Sequence, residues 1–337
     1  MIPATPGRLR PGSPELDSGG EVAVDARRQR RVSSLGGERL REAGVGYAFV
    51  LVPLAIFVLF QLYPMVYAFY VSAHEWGGIE GNLGYVGLDN YRELWHDEAF
   101  WTWPPERATA LWNTVYYALL VVPLQMALGL TMALIVNAAI HGKTFFRSAY
   151  YFPALVSSAA ISAIALYLLS ADGLLNAAIT AVTGNEFTHP WFGDSDTALE
   201  SIIVLDAWTT SGTMMLFYLA ALQSVPTDVY EAAAIDKAST WRTFWRITFP
   251  LLKPAHFFVA VVSVIGALKL FDQAYIISSG SGGPAGSTMT AVMYVYTVTI
   301  KEFNYGYGAT VGAVLFLIIF TITLAQRLLF GKAEIGY

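Results

Sequence analysis

Tyr230-Glu231-Ala232-Ala233-Ala234-Ile235-Asp236, running on to Phe249-Pro250-Leu251-Leu252-Lys253-Pro254, lies between two strongly apolar segments. The run from Tyr230 to Asp236 favours a helix. Pro226 precedes it, and Pro250 and Pro254 close the stretch. Proline is tolerated at a helix start and interrupts a helix interior. A polar helix between two greasy segments is a surface shaped to touch another protein.

The rest of the chain explains why this insert matters. Its 337 residues are 55% hydrophobic and 13% charged, with a mean hydropathy of +0.49. Soluble domains carry about 25% charged residues. Apolar segments fall at about 45–72, 109–139, 146–169, 201–223, 255–278 and 309–330. A helix of about 24 residues rises about 36 Å and crosses a hydrocarbon core of about 30 Å. The segment at 109–139 is longer and is expected to tilt or protrude. The expected fold is therefore an all-α polytopic membrane protein with six transmembrane helices.

Lysine and arginine set its orientation. Arginines crowd the stretch from Arg8 to Arg41, and Lys143, Arg147, Lys237, Arg242, Arg246, Lys253, Arg327 and Lys332 lie on the same side of the expected spans. The opposite loops hold Arg92, Arg107 and Lys301, while Lys269 falls inside the fifth span. Both termini are thus expected in the cytoplasm, and the polar insert becomes a cytoplasmic helix between spans 4 and 5. Residues 1–43, rich in Pro, Gly and Arg, read as a disordered tail whose arginines anchor orientation or touch membrane lipid. Residues 44–330 read as the transmembrane domain and 331–337 as a short cytoplasmic tail. Val71-Ser72-Ala73 superficially resembles a signal-peptidase site, but the apolar run before it is too long for a signal peptide.

Several functions are excluded. The chain has no cysteine, hence no disulfide frame, thiolate metal site or cysteine nucleophile. His74, His96, His141, His189 and His256 lack metal-ligand spacing. Asn137-Ala138-Ala139-Ile140-His141-Gly142-Lys143-Thr144 ends like a phosphate loop, yet Asn137 occupies the first glycine position and a membrane helix precedes it. The net charge of −5 gives no footprint for nucleic acid. The chain is expected to be no enzyme and to bind no cofactor itself.

An ordered set of motifs then points to a family. Glu231-Ala232-Ala233 is followed by Lys237 and, after nine residues, by Ile247-Thr248-Phe249-Pro250. This resembles the "EAA" signature of binding-protein-dependent ABC importer permeases. Gly87-Leu88-Asp89-Asn90-Tyr91, Leu111-Trp112-Asn113-Thr114, Leu124-Gln125, Phe145-Phe146-Arg147, Phe152-Pro153, Leu222-Gln223-Ser224-Val225-Pro226 and Phe271-Asp272-Gln273-Ala274-Tyr275 with Gly282-Gly283-Pro284 are similar to the same family, in order. The last pattern resembles the carbohydrate-type branch, the maltose, trehalose and glycerol-phosphate permeases. The resemblance spans about 45–330.

The resemblance implies that residues 226–254 dock an ATPase, through Tyr230, Glu231, Ala232, Ala233, Ala234, Ile235, Asp236 and Lys237. It implies a second homologous permease subunit, an ATP-binding cassette ATPase dimer holding ATP and Mg, an extracytoplasmic substrate-binding protein and a small-molecule sugar, in a bacterial cytoplasmic membrane. Glu231 would meet a basic ATPase residue, a pair whose loss costs about 2–5 kcal/mol when buried. Lys237 departs from the family, which places glycine there. A lysine at positive φ costs about 1 kcal/mol; in an ordinary helical conformation its charge would favour the helix C-terminus.

Ionisable and polar residues inside spans are functional candidates, because isolation in lipid is expensive. Span 4 offers Asp206, Trp208, Thr209, Thr210, Ser211 and Gly212; span 5 offers Lys269, Asp272, Gln273 and Tyr275. Of these, Asp206, Trp208, Thr209, Ser211, Gly212, Asp272, Gln273 and Tyr275 are the substrate-pathway candidates. Lys269 and Asp272, three apart, have a plainer reading as an intrahelical ion pair, and Asp206 as a hydrogen bond across a subunit interface. Ser278-Ser279-Gly280-Ser281-Gly282-Gly283-Pro284 breaks the end of span 5, and such backbone needs a cavity or protein neighbour at membrane depth. Trp76, Trp95, Trp101 and Trp103 suit interfacial anchoring or contact with a binding protein. A permease for glycerol-3-phosphate or a polyol phosphate would favour a basic residue at the cavity, and Lys269 is the intramembrane candidate. A gradient-driven secondary carrier would need no ATPase, and commonly shows internal repeats not visible here.

Overall fold

A computed structural model describes residues 42–102, 109–138 and 141–330. Most of the expected tail, Trp103, Arg107 and residues 331–337 lie outside the described residues. The chain divides into two units, Met1–Val66 and Tyr67–Tyr337. The first contains most of an apolar helix, α1 (Glu42–Ser72).

After the end of α1 comes a hairpin, β1 (His74–Gly77) and β2 (Gly81–Tyr85), a departure from a purely helical chain. The strands pair antiparallel, His74 opposite Tyr85, with an irregularity between Glu75 and Trp76. Gly81 turns the hairpin at φ +75°, a conformation glycine adopts without steric cost. A short helix, α2 (Asp89–Trp95), follows. Asn90 Nδ2 donates to the carbonyls of Ser72 and His74 at 2.9 and 3.1 Å and fixes the entry to the hairpin.

Four helices come next: α3 (Ala110–Asn137), α4 (Lys143–Leu155), α5 (Ser158–Leu168) and α6 (Leu174–Thr183). The long α7 (Ala198–Ser224) leads into α8 (Thr227–Ile235). A turn, α9 (Thr240–Thr243), passes through a π turn at Phe244–Thr248 into α10 (Phe249–Leu251) and α11 (Lys253–Ala267). The chain ends with α12 (Asp272–Ile277), α13 (Ala291–Tyr296) and α14 (Tyr305–Phe330).

Among the described residues five stretches are long and apolar enough to span a membrane: α1, α3, α7, Lys253–Ile277 and Tyr305–Leu329. The third apolar segment, 146–169, corresponds to the pair α4 and α5, bent by 94°. Val156 is extended, and the Ser157 side chain accepts from Ala160 N at 3.3 Å. A serine N-cap starts a new helix at the cost of the old one. Counting the pair as one crossing gives up to six.

The core is built on the crossing of α3 and α7. Tyr117, Val121 and Val122 pack on Leu199, Ile202, Ile203 and Ala207, closed by Ala267, Leu270 and Ala274. Further along, Ala133 and Val136 meet Met214, Met215 and Tyr218, with Leu252 and Val259. The axes approach closely at Gly129, where an added Cβ would lie 2.6 Å from Met214 Cβ. A third cluster joins Leu94, Phe100 and Ala110 to Ala291, Tyr307 and Val311. Asp97 locks that cluster, since its Oδ2 accepts from both Tyr294 and Tyr307 hydroxyls.

Candidate functional site

Two features stand out: a polar cavity between three helices and an exposed helix ahead of the fifth span. The cavity follows from helix spacing. Tyr117, Val121 and Gln125 recur every four residues on α3, and Asp206, Thr210 and Met214 do so on α7; these two stripes form two walls. The third wall is the interruption between α11 and α12. There Lys269 N bonds to Gly266 O at 3.1 Å and Phe271 has φ −139°, ψ −59°, so the helix stops and restarts at Asp272. Lys269, Leu270, Phe271, Asp272 and Gln273 all line the cavity. Broken helix at membrane depth is tolerated where it borders such a space.

The cavity holds about 340 Å³, within the range of small-molecule sites, about 300–1,000 Å³. Asp206 lines it and is buried. One carboxylate oxygen accepts from the Tyr117 hydroxyl, and the other accepts from Gln273 Nε2 at 2.7 Å. Thr210 Oγ1 donates to Gln125 Oε1, 2.6 Å away, and lies 2.6 Å from the Asp206 carbonyl. Asp206 therefore ties α3, α7 and α12 together inside one chain. Lys269 and Asp272 are both exposed. They do not pair; among the described residues the ion pair within 4.0 Å is Arg92–Asp89. The site thus offers an ammonium, two carboxylates, an amide pair and the Phe271 ring, a mixture of donors, acceptors and apolar surface suited to a polar organic solute.

Of the sequence candidates, the structure brings Asp206, Asp272 and Gln273 together here. Tyr275 stands one step away, stacked on Phe271 at 5.1 Å and 5.1 Å from Tyr296, with Lys301 Nζ 5.8 Å from its ring centre. Trp208 lines a different, apolar cavity with Leu168, Leu174 and Val204. Thr209 and Ser211 direct their hydroxyls to carbonyls of their own helix, Asp206 O at 3.1 Å and Trp208 O at 2.7 Å. Gly212 is a packing point, because a Cβ there would come 2.5 Å from Tyr150 O on α4. Tyr117, Gln125 and Ser263 also line the polar cavity and stand outside the substrate-pathway candidates of the sequence. The four-residue spacing of Tyr117, Val121 and Gln125 was the available signal.

The second feature is α8. Pro226 precedes its first turn and Asp228 lies within that turn, where a carboxylate favours the helix dipole. Ala233 is buried and Tyr230 half-buried, with its hydroxyl 3.4 Å from Thr248 Oγ1. Glu231, Ala232, Ala234, Ile235, Asp236 and Lys237 are exposed, Ile235 to 82%. Lys237 adopts φ +54°. Ala238 N bonds to Ala233 O at 3.0 Å and Lys237 N to Ala234 O at 3.1 Å. This is a Schellman cap, with lysine at the position glycine usually occupies. Of the two conformations open to Lys237, the structure has the left-handed one.

The model of the family described as "Binding-protein-dependent transport system inner membrane component" matches residues 125–333. The chain belongs to that family. It is 33% identical over 283 residues to the lactose transport system permease protein LacF of Rhizobium radiobacter, covering 83% of this chain and 92% of the relative. It is 31% identical to the trehalose/maltose transport system permease protein MalF of Thermococcus litoralis, covering 85% and 93%. A crystal structure of a bacterial alginate ABC transporter, in complex with an alginate pentasaccharide-bound periplasmic protein, contains a chain of the same fold. That match has a TM-score of 0.75 at 19% identity and covers 89% of this permease and 99% of that chain. α8 and the cavity's lining from Gln125 onward fall within residues 125–333, and Tyr117 and Val121 precede them.

Proposed function

We propose that the chain is the membrane-spanning permease subunit of an ATP-driven, binding-protein-dependent importer of a sugar, a di- or oligosaccharide. It crosses the membrane six times with both termini in the cytoplasm, the bent α4–α5 pair counting as one crossing. The observation that carries the sugar reading is the cavity at the α11–α12 break. Its side chains supply hydrogen-bond donors and acceptors to hydroxyls, and Phe271 supplies a flat apolar face. Sugar-system relatives at above 30% identity support the same class. A polyol phosphate fits less well. Lys269 attracts it, but Asp206 and Asp272 line the same space, and two carboxylates oppose a group carrying about −1.5 to −2 charges.

In this reading a binding protein delivers sugar to the extracytoplasmic loops. ATP and Mg act on a separate ATPase dimer. Its closure moves α8, docked through Glu231, Ala232, Ala234 and Ile235, and α8 passes that motion to α7 and α11. A second homologous permease completes the pathway. The chain itself catalyses nothing.

The test is to purify the tagged chain in mild detergent and identify co-purifying proteins and bound small molecules by mass spectrometry, with Glu231→Ala alongside. The expected result is an ATPase, a second permease and a sugar-loaded binding protein, with poorer ATPase recovery from the variant. A phosphorylated polyol would change the solute. A transport-active chain recovered without any ATPase would overturn the importer reading in favour of a gradient-driven carrier.

A further inference from the structure

The stretch just after α8 has a chemistry of its own. Trp241, Trp245 and Phe249 are four residues apart, and their rings touch in series, 5.6 Å between the first two and 5.1 Å between the second two. Trp241 is 72% exposed and Trp245 47%. One position on from each tryptophan stands an arginine, Arg242 and Arg246, and Lys253 follows at the start of α11. All three basic residues are exposed, and none has a carboxylate within 4.0 Å among the described residues. No carboxylate occurs from Lys237 to Phe271.

The location of this stretch follows from the helices. Leu252 N bonds to Thr248 O at 3.1 Å and His256 N to Leu252 O at 2.8 Å, so the segment continues directly into α11. Lys253 is the first residue of an apolar span. Residues 241–249 therefore lie where that span leaves the hydrocarbon, at the depth of the lipid head groups. Tryptophan is enriched at this depth, and arginine and lysine there attract anionic lipid. The neighbouring α8 and its cap are opposite in sign, with exposed Asp228, Glu231 and Asp236 outweighing the exposed Lys237. A surface of that charge is repelled by an anionic leaflet and is left for a protein partner.

We propose that Trp241, Arg242, Trp245, Arg246 and Lys253 form a binding site for an anionic phospholipid head group. The arginines hold its phosphate by paired N–H donors, and the tryptophans sit among the upper acyl carbons and glycerol. The lipid fixes the start of the fifth span relative to the bilayer plane, beside the helix that meets the partner. This goes beyond the transport reading and is independent of the solute carried.

The test uses the full chain, with its co-purifying partners, in vesicles of equal parts phosphatidylcholine and phosphatidylglycerol. After detergent extraction, native mass spectrometry compares the two lipids retained. The protein is expected to retain phosphatidylglycerol preferentially. R242Q/R246Q/K253Q is expected to lose that preference by about tenfold or more, since each basic residue near the surface contributes several-fold. R242K/R246K/K253R keeps the charge but loses the arginine forks, and is expected to fall between the unchanged protein and the glutamine variant. In an otherwise unchanged chain, a photo-reactive phenylalanine replacing Trp241 is expected to cross-link to phospholipid. Equal retention of both lipids by the unchanged protein would overturn the proposal, as would cross-linking from position 241 to a co-purifying protein and not to lipid. Unchanged lipid preference in the glutamine variant would also overturn it.

Discussion

Replacing Lys237 with glycine is expected to stabilise the end of α8. Lys237 holds φ +54°, a conformation that costs an L-residue about 1–2 kcal/mol. Glycine removes that cost but adds about 0.4–1 kcal/mol of unfolded-chain entropy. The side chain is exposed, so its loss sacrifices no packing, and the net gain is about 0.5–1 kcal/mol. At about 1.4 kcal/mol per tenfold, the exchange of the Lys237 and Ala238 amides, which close the cap on Ala234 and Ala233, slows about two- to fivefold. Hydrogen exchange read by mass spectrometry on the 230–240 peptide measures this directly. Lys237→Ala is the control: it removes the same charge and keeps the same backbone cost, so it should exchange like the unchanged protein. Equal protection in the glycine and alanine variants would refute the argument, because the effect would then belong to the charge.

Other outcomes follow from the packing. Asp206→Ala leaves Tyr117 and Gln273 without their acceptor; a buried polar group left unpaired costs about 1–3 kcal/mol, so a lower thermal midpoint in detergent is expected, together with loss of sugar uptake in vesicles. Gly212→Ala and Gly129→Ala drive a methyl into Tyr150 O and Met214 Cβ, and each is expected to destabilise by about 1–3 kcal/mol in the same melting assay. Asp97→Ala removes the acceptor shared by Tyr294 and Tyr307. Burial, and then the bond to Asp97, holds the Tyr294 phenol above its ordinary range. Its stabilising contribution is therefore full below the unfolded tyrosine value of about 10 and falls as pH rises past it. In Tyr294→Phe that alkaline loss is expected to be smaller, as read by melting temperature against pH.

Most spans were legible because an uninterrupted apolar run has few alternatives to a helix in lipid. The bend between α4 and α5 was hidden inside such a run: Pro153 and Ser157 are visible in the sequence, but neither marks a boundary by itself, and it is the serine side chain's bond to Ala160 N that starts the second helix. The fifth span shows the opposite case. The glycine-rich stretch after Ser278 announced irregular backbone, and positive φ at Ser279, Gly280, Gly282 and Gly283 is found there. The break that lines the cavity comes earlier, through Leu268-Lys269-Leu270-Phe271, which carries neither glycine nor proline. In the site, Asp206, Asp272 and Gln273 were conspicuous as polar residues in apolar surroundings. Tyr117 and Gln125 belong to a different helix, and only packing reveals that they face the same space. For Lys237 the residue type left two backbone states open, and the carbonyls of Ala233 and Ala234 decide between them.

The carboxylate of Asp206 acts as a rivet through three helices. Sliding α7 past the other two breaks both of these hydrogen bonds, and sliding α3 or α12 alone breaks one. The lower-energy course is for the three to swing as one block. Alternating exposure would then be a hinge between whole bodies, and substitutions that alter its timing should gather on the block's outer surfaces rather than around the sugar.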